Sequence, residues 1–360
     1  MQNTTTSHIS KKVGKFKNIE LLRFIFAWTI VVFHMSMSVT HTPLKSYCHS
    51  GYLCVEFFFI VSFFFLIRGL KVEQSMTRFI RDKWIRMAPL AIVITIVGYV
   101  LYHLGYCAYS GWNFSAVVEN CLLLFGWSAK TSKGCFIGPI WYCSIYLGIA
   151  VFYLGLLKTF PHKYVPFIVG VLAYIAWRGI ALRIEARPFG VFFGGGDING
   201  ACRGMFCLGL AYMAVCLYES GSLGYCANRC RTIICTTAEL LILGVLSCKL
   251  IFSPQIISTF LTDLLFLFLF VLFISRAGYV SRLLERNWCA YLGRYSYAIY
   301  VVHMLVLYVT ITIDKKCGIL QSYPSETTVG IFLAIMILAV MGHHFVEAPI
   351  VRYFKKQHRE

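Results

Sequence analysis

Apolar residues along the chain fall into runs close to twenty residues long, separated by short segments that carry most of the charges. A helix of this length matches the hydrocarbon core of a bilayer, which is about 30 Å thick. The pattern therefore predicts ten membrane-spanning helices, at about residues 19–39, 53–70, 88–107, 139–157, 165–182, 202–218, 232–252, 258–275, 295–313 and 327–346.

A weaker apolar piece at 117–127 contains Glu119 and Asn120. It is too short to span a bilayer, so an interfacial or re-entrant segment is predicted there.

The composition agrees with a membrane protein. Of the 360 residues 59% are hydrophobic and 13% are charged, about half the charged fraction of a typical soluble domain. We expect one all-α, polytopic membrane domain at 19–347, between basic cytosolic tails at 1–18 and 348–360. The first span is too long for the apolar core of a signal peptide and is predicted to be retained.

The formal charge of +18 indicates topology rather than nucleic-acid binding, because the basic residues lie in short runs between apolar segments. If the N-terminus is cytosolic, 22 of the 33 lysines and arginines fall on the cytosolic side. The positive-inside rule then places both termini in the cytosol.

Fifteen cysteines are present, and many lie within apolar runs, where cysteine behaves as a small hydrophobic residue. We expect most to be free thiols. Cys226, Cys230 and Cys235 lack the spacing and histidine partners of a zinc site, so no metal is expected. The glycine-rich segment 193–200 lacks the G-K-[ST] of a phosphate-binding loop and is predicted to be a flexible loop.

Arg23 and His34 are the most informative polar residues of the first span. Their separation of eleven residues is three helical turns plus about 20°, which places both side chains on one face, roughly 16 Å apart. Ionisable residues within a span usually face a cavity or a partner, so this face is a functional candidate. In the alternative interpretation, Arg23 extends to the headgroups and His34 hydrogen-bonds a neighbour.

Other polar side chains recur within predicted spans, at Glu56, Ser62, Arg203 and His303. Glu56 could instead be an interfacial carboxyl, and His303 a histidine satisfied within the bundle. A basic cluster lies just before the third span: Arg78, Arg81, Lys83 and Arg86. These residues could set the membrane topology, bind phosphate groups, or do both.

Several stretches in order along the chain resemble the acyltransferase-3 family of integral membrane acyltransferases. They are "NIELLRFIFAWTIVVFH", "CVEFFFIVSFFFLI", "RFIRDKWIRMAPL", "GPIWYCSIYLGIAVFYL" with Trp141, "ACRGMFCLGL", "LGRYSYAIYVVH" and "HHFVEAPIVRYF". The resemblance implies a ten-helix protein of the bacterial inner membrane. It would transfer an acyl group, commonly acetyl from acetyl-CoA, to a cell-envelope glycan or lipid-linked sugar, with no tightly bound cofactor.

The resemblance also implies roles for residues. His34 would act as general base or transient acyl carrier, and Arg23 would orient the donor or stabilise an oxyanion. The basic cluster would hold the CoA phosphates. The residues expected to line the cavity are Glu56, Ser62, Trp141, Arg203 and His303.

The chain departs from the family pattern in two places. Phe63 follows Ser62 where the family usually has glycine, and Tyr146 and Leu147 stand where some branches carry a pair of acids. A paired-acid mechanism is therefore not expected here.

A glycan or lipid transporter is the main alternative, because intramembrane charges also mark transport pathways. Proline-broken spans and internal repeats, which are frequent in transporters, are nearly absent from this sequence. A structural or sensory membrane protein, for which Arg23 and His34 would be dispensable, ranks lowest.

Overall fold

The computed structural model describes residues 16–107, 114–127, 138–186, 198–222, 228–252 and 258–357. Predictions about the rest lie outside the described residues. They concern the basic tail before residue 16, Lys130, Lys133, Arg187, Cys226 and most of the glycine-rich segment.

The described residues form helices and no strand, which confirms the all-α class. In chain order the helices are α1 (Lys17–Ser38), α2 (Cys54–Gly69), α3 (Met76–His103), α4 (Phe114–Cys121), α5 (Ile140–Thr159), α6 (Val165–Ala186), α7 (Ile198–Glu219), α8 (Arg229–Phe252), α9 (Thr259–Ile274), α10 (Tyr279–Leu283), α11 (Asn287–Gly293), α12 (Ser296–Cys317), α13 (Ile319–Ser322), α14 (Pro324–Met341) and α15 (Ala348–Gln357). Short 3₁₀ turns lie at Gly51–Leu53 and Phe125–Trp127, and a π-helical turn at Gly342–Glu347 joins α14 to α15.

Eight stretches of the described residues are helical, long and apolar enough to cross a bilayer, and they coincide with eight of the ten predicted spans. The other two predicted spans coincide with shorter apolar helices, Val165–Ala181 within α6 and Thr259–Ile274. The polytopic membrane bundle is thus confirmed. The cytosolic location of both termini stays a prediction.

The segment predicted not to span, 117–127, folds against α5. The backbone N–H of Gly126 donates to Ser144 Oγ, and the indole N–H of Trp127 donates to the Ser144 carbonyl, both at 3.0 Å. A Cβ at Gly148 would lie 2.4 Å from the Trp127 ring, so glycine is required for this close approach.

Small residues also bring α6, α7 and α5 close together. A Cβ built on Gly209 of α7 would lie 2.5 Å from the Cβ of Ala173 in α6, and one on Gly204 would lie 2.6 Å from Ile149 in α5. Apolar burial drives helix association only weakly in lipid, so close contact through small residues supplies much of the attraction between helices.

The start of α1 is fixed by a buried asparagine. Asn18 Nδ2 donates to the carbonyls of Phe273, at 2.8 Å, and Ser281, at 3.0 Å. Close by, Gly293 of α11 packs directly on the backbone of Glu20. These contacts set the position of the polar face that α1 presents to the bundle.

Candidate functional site

Two histidines from different helices meet inside the bundle. The ring centroids of His34 on α1 and His303 on α12 are 5.2 Å apart, with an interplanar angle of 36°. His34 is half-buried and His303 is fully buried. We call these two residues the histidine pair.

The two nitrogens of His303 have different surroundings. Nδ1 lies 3.3 Å from the carbonyl oxygen of Ile299, one turn earlier on α12. Nε2 is buried and has no hydrogen-bond partner among the described residues. Buried polar atoms are nearly always paired, so this nitrogen calls for an explanation.

Arg23 lies on the face of α1 that carries His34. Its guanidinium forms an ion pair with Glu20 at 3.1 Å, and the side chain is about one quarter exposed, at 24%. Arg23 also interacts electrostatically with the hydroxyl of Tyr142 on α5. The arginine therefore faces the interior of the bundle, with Glu20 as its immediate counterion.

A row of tyrosines connects Arg23 to the histidine pair. The Tyr142 ring lies 5.8 Å from the ring of Tyr300, which lies 6.1 Å from His303. The Tyr142 hydroxyl is 2.7 Å from Ser62 Oγ and 3.2 Å from the Phe58 carbonyl, and the Tyr300 hydroxyl donates to the Pro139 carbonyl at 2.8 Å. Neighbouring side chains inside the bundle thus form one row, which we call the interior path: Ser62, Tyr142, Tyr300 and the histidine pair.

The two departures from the family pattern are in contact. The Phe63 ring stacks on Phe59 at 5.8 Å and lies 5.3 Å from the ring of Tyr146. Phenylalanine fits where glycine was expected because its ring packs between aromatic neighbours of α2 and α5. Tyr146 also accepts a hydrogen bond at its hydroxyl, donated by Lys83 Nζ at 3.3 Å.

The four basic residues of α3 do not act as one cluster. Lys83 points inward to Tyr146, whereas Arg78, Arg81 and Arg86 are exposed. Arg78 and Arg81 line an open groove of about 470 Å³, whose other walls come from the start of α3 and the end of α15. We call this the basic groove; it is lined by Ser75, Thr77, Arg78, Arg81 and Gln357.

Glu56 and Arg203 form a buried ion pair between α2 and α7. Arg203 Nε donates to Glu56 Oε1 at 2.6 Å, and the other end of the guanidinium reaches the carbonyl of Tyr52 at 3.4 Å. The guanidinium also lies over the ring of Trp141, 4.9 Å from its centroid. The predicted lining residues Glu56, Trp141 and Arg203 are therefore brought together, beside the path that contains Ser62 and His303.

Asp263 of α9 joins this ion pair and was missed in the sequence. It is buried and interacts electrostatically with Glu56 and Arg203. Asp263 Oδ1 and Glu56 Oε2 have no hydrogen-bond partner among the described residues. Asp263 could have been found from the sequence, because it is the one acidic residue in the apolar run 258–275. Nothing in the sequence distinguishes Tyr142 and Tyr300 in the same way.

The thirteen cysteines within the described ranges are free thiols. Among these same residues, no group of three or more histidines, cysteines, aspartates or glutamates could hold a metal ion. The side chains along the path carry imidazole, phenol and hydroxyl groups, and Arg23 adds a guanidinium; such groups supply proton transfer, nucleophilic attack and stabilisation of developing negative charge.

A family model described as an acyltransferase domain matches residues 16–344. The match includes the histidine pair, the tyrosines, the buried charges and the arginines of the basic groove. A search of curated proteins gave no match. Nor did any solved structure match the chain.

Proposed function

The chain belongs to the acyltransferase-3 family and is a membrane acyltransferase, and from this we infer that it transfers an acyl group, acetyl in the first instance, from acyl-CoA to a hydroxyl of a cell-envelope polysaccharide or lipid-linked sugar. The observation that carries this proposal is the position of His34: a half-buried imidazole beside a second imidazole, on the helix face that carries Arg23. We propose the bacterial inner membrane as the location, with donor binding on the cytosolic side.

His34 is proposed to act on the acyl group directly. As general base, its ring nitrogen takes the proton of the acceptor hydroxyl while the hydroxyl oxygen attacks the acyl carbon. The carbon–sulfur bond breaks, its electron pair leaves on the sulfur of CoA, and the proton finally passes to that thiolate. As acyl carrier, the nitrogen itself attacks the thioester and expels the CoA thiolate; the acceptor hydroxyl then attacks the acyl carbon, the imidazole leaves, and the hydroxyl proton passes to the thiolate.

Arg23 is proposed to orient the donor, because about three helical turns separate it from His34 and it does not reach an acyl carbon bound there. A guanidinium in a site with little water binds a polar or anionic part of a ligand strongly. Its ion pair with Glu20 holds it near the row of tyrosines before substrate binds. In this role Arg23 contributes only after the donor has reached the interior of the bundle.

The donor is proposed to enter from the end of the bundle that carries α15. Arg78 and Arg81 would bind the phosphates of CoA in the basic groove, because a guanidinium matches phosphate oxygens in pairs. Arg86 extends the basic surface along α3, and Lys83, which points inward to Tyr146, leads from that surface toward the interior path.

Substitution of His34 tests the proposed reaction. His34→Ala should abolish acyl transfer, because alanine has no ring nitrogen to act as general base or acyl carrier. The variant should still accumulate in the membrane. The measurement is mass spectrometry of envelope glycan from a deletion strain carrying each variant, together with release of CoA thiol by the purified protein. Loss of an acyl mass in the deletion strain would also identify the acyl group.

His41→Ala is the matched control, because His41 is exposed just beyond the end of α1. It should leave acylation unchanged. Full acylation by His34→Ala would remove His34 from the mechanism. Unaltered glycan in the deletion strain, combined with no thiol release by the wild-type protein, would contradict the proposed substrates and favour the transporter alternative.

A further inference from the structure

We propose that His303 is a positioning residue for His34: its Nε2 lone pair accepts a hydrogen bond from a ring N–H of His34 and thereby fixes the tautomer of His34. The opposite nitrogen of His34 then carries the lone pair that attacks the acyl carbon or takes the acceptor proton. This inference rests on the proposed function, since it assigns a role within that reaction.

The surroundings of His303 determine its tautomer. A backbone carbonyl only accepts hydrogen bonds, so the Nδ1 that lies 3.3 Å from the Ile299 carbonyl carries the proton. In a neutral imidazole the other nitrogen then holds the lone pair. Nε2 of His303 is therefore a hydrogen-bond acceptor, fully buried and without a partner among the described residues.

His34 is placed to be the missing donor. The two rings are direct neighbours, with centroids 5.2 Å apart and planes tilted by 36°. The χ2 torsion of histidine is broad, and a modest rotation of the half-buried His34 ring brings one of its nitrogens toward Nε2 of His303. Because leaving a buried acceptor unpaired is costly, this rotation is favourable.

The hydrogen bond would determine which nitrogen of His34 does the chemistry. A histidine whose one nitrogen donates to a fixed acceptor presents its lone pair at the other nitrogen. Without that acceptor the two tautomers of His34 compete, and only one of them points a lone pair at the substrate. Loss of a comparable orienting partner in a serine protease lowers turnover about 10⁴-fold through the wrong tautomer.

The test compares His303→Gln with His303→Asn in the purified full-length protein. The longer amide side chain of Gln carries an oxygen near the position of Nε2, whereas that of Asn reaches only near Nδ1. Donor turnover is followed by thiol release, and product by glycan mass spectrometry. We expect His303→Gln to keep kcat within about tenfold of wild type, and His303→Asn to lose roughly 10²–10³-fold in kcat with little change in donor KM.

Thr312→Val is the control, because it removes a buried hydroxyl from the opposite face of the same helix. It should retain wild-type kcat. Equal loss of kcat in both His303 variants, or wild-type kcat in His303→Asn, would overturn the positioning role. A wild-type protein that transfers no acyl group would instead overturn the proposed function, so the two failures are distinguishable.

Discussion

At the scale of single residues, the ion pair between Arg203 and Glu56 is expected to be sensitive to substitution. Both side chains are buried, and their attraction acts without screening by bulk water. Such a pair adds little net stability compared with apolar residues, but removing one partner leaves a buried charge unpaired. Asp263 makes the loss of the arginine more costly, because two carboxylates would then share the site.

We therefore predict that Arg203→Met lowers the free energy of unfolding by about 3–5 kcal/mol. Adding Glu56→Gln to that variant should recover part of the loss, since it removes one of the unpaired carboxylates. Denaturant titration in detergent micelles measures both effects. Glu219→Gln, which breaks the half-exposed pair of Glu219 with Arg68, should change stability by no more than about 1 kcal/mol. An equal effect of the two single substitutions would contradict the assignment of Arg203 to a buried pair.

Sequence alone identified polar residues that the structure brings together in two pairs: Glu56 with Arg203, and His34 with His303. The reason is physical: a polar side chain within an apolar run needs a partner, so it stands out by its cost. The direction of Lys83 could not be predicted, because the positive-inside rule explains every basic residue of that cluster equally well. Tyrosine is common in membrane helices, so Tyr142 and Tyr300 did not stand out.

At the scale of elements, the α6–α7 contact depends on the absence of a side chain. Gly209 lets the backbone of α7 approach Ala173 to a distance at which a Cβ would collide. Gly170 on α6 has open space around its Cβ position. The two glycines therefore separate the effect of helix packing from the effect of glycine on helix propensity.

We predict that Gly209→Ala destabilises the protein by about 1–3 kcal/mol through overpacking. Gly170→Ala should be neutral or stabilising, since alanine is preferred to glycine in a helix by roughly 1 kcal/mol. Adding Ala173→Gly to the first variant should restore stability, because it reopens the contact. Melting temperatures in detergent compare the variants. Failure of Ala173→Gly to rescue would place the defect elsewhere.

Hydropathy located the spans but not the full helices. The third span was predicted from residue 88, whereas α3 begins at Met76, where Ser75 Oγ accepts a hydrogen bond from the backbone N–H of Arg78. The added turns are polar, and hydropathy detects only the part of a helix that suits lipid. For the same reason α15, which follows α14 through a π-helical turn, was predicted only as a tail.

At the scale of the whole molecule, the basic groove joins segments that are far apart in the chain. Arg78 and Arg81 come from the start of α3, and Gln357 comes from the last turn of α15. Two exposed guanidiniums in one concave surface attract phosphate over a distance set by ionic strength. The groove is thus the surface to which we assign the phosphates of the proposed donor.

We predict that Arg78→Ala and Arg81→Ala each raise the donor KM roughly tenfold, the effect of losing one hydrogen bond to a charged group, with kcat little changed. Lys71→Ala, an exposed basic residue outside the groove, should leave KM unchanged. Initial rates with acetyl-CoA and acetyl-dephospho-CoA measure this. If one arginine contacts the 3′-phosphate, its variant should no longer distinguish the two donors. An unchanged KM in both variants would make the groove a topological feature only.

The exposed thiols of Cys230, at the start of α8, and Cys317, at the end of α12, lie at opposite ends of the bundle. A membrane-impermeant maleimide applied to intact cells reaches thiols on one side only, and permeabilised cells admit it to the other. The native chain consequently holds its own pair of orientation markers, and peptide mapping of the labelled protein can decide which end faces the cytosol without changing a single residue.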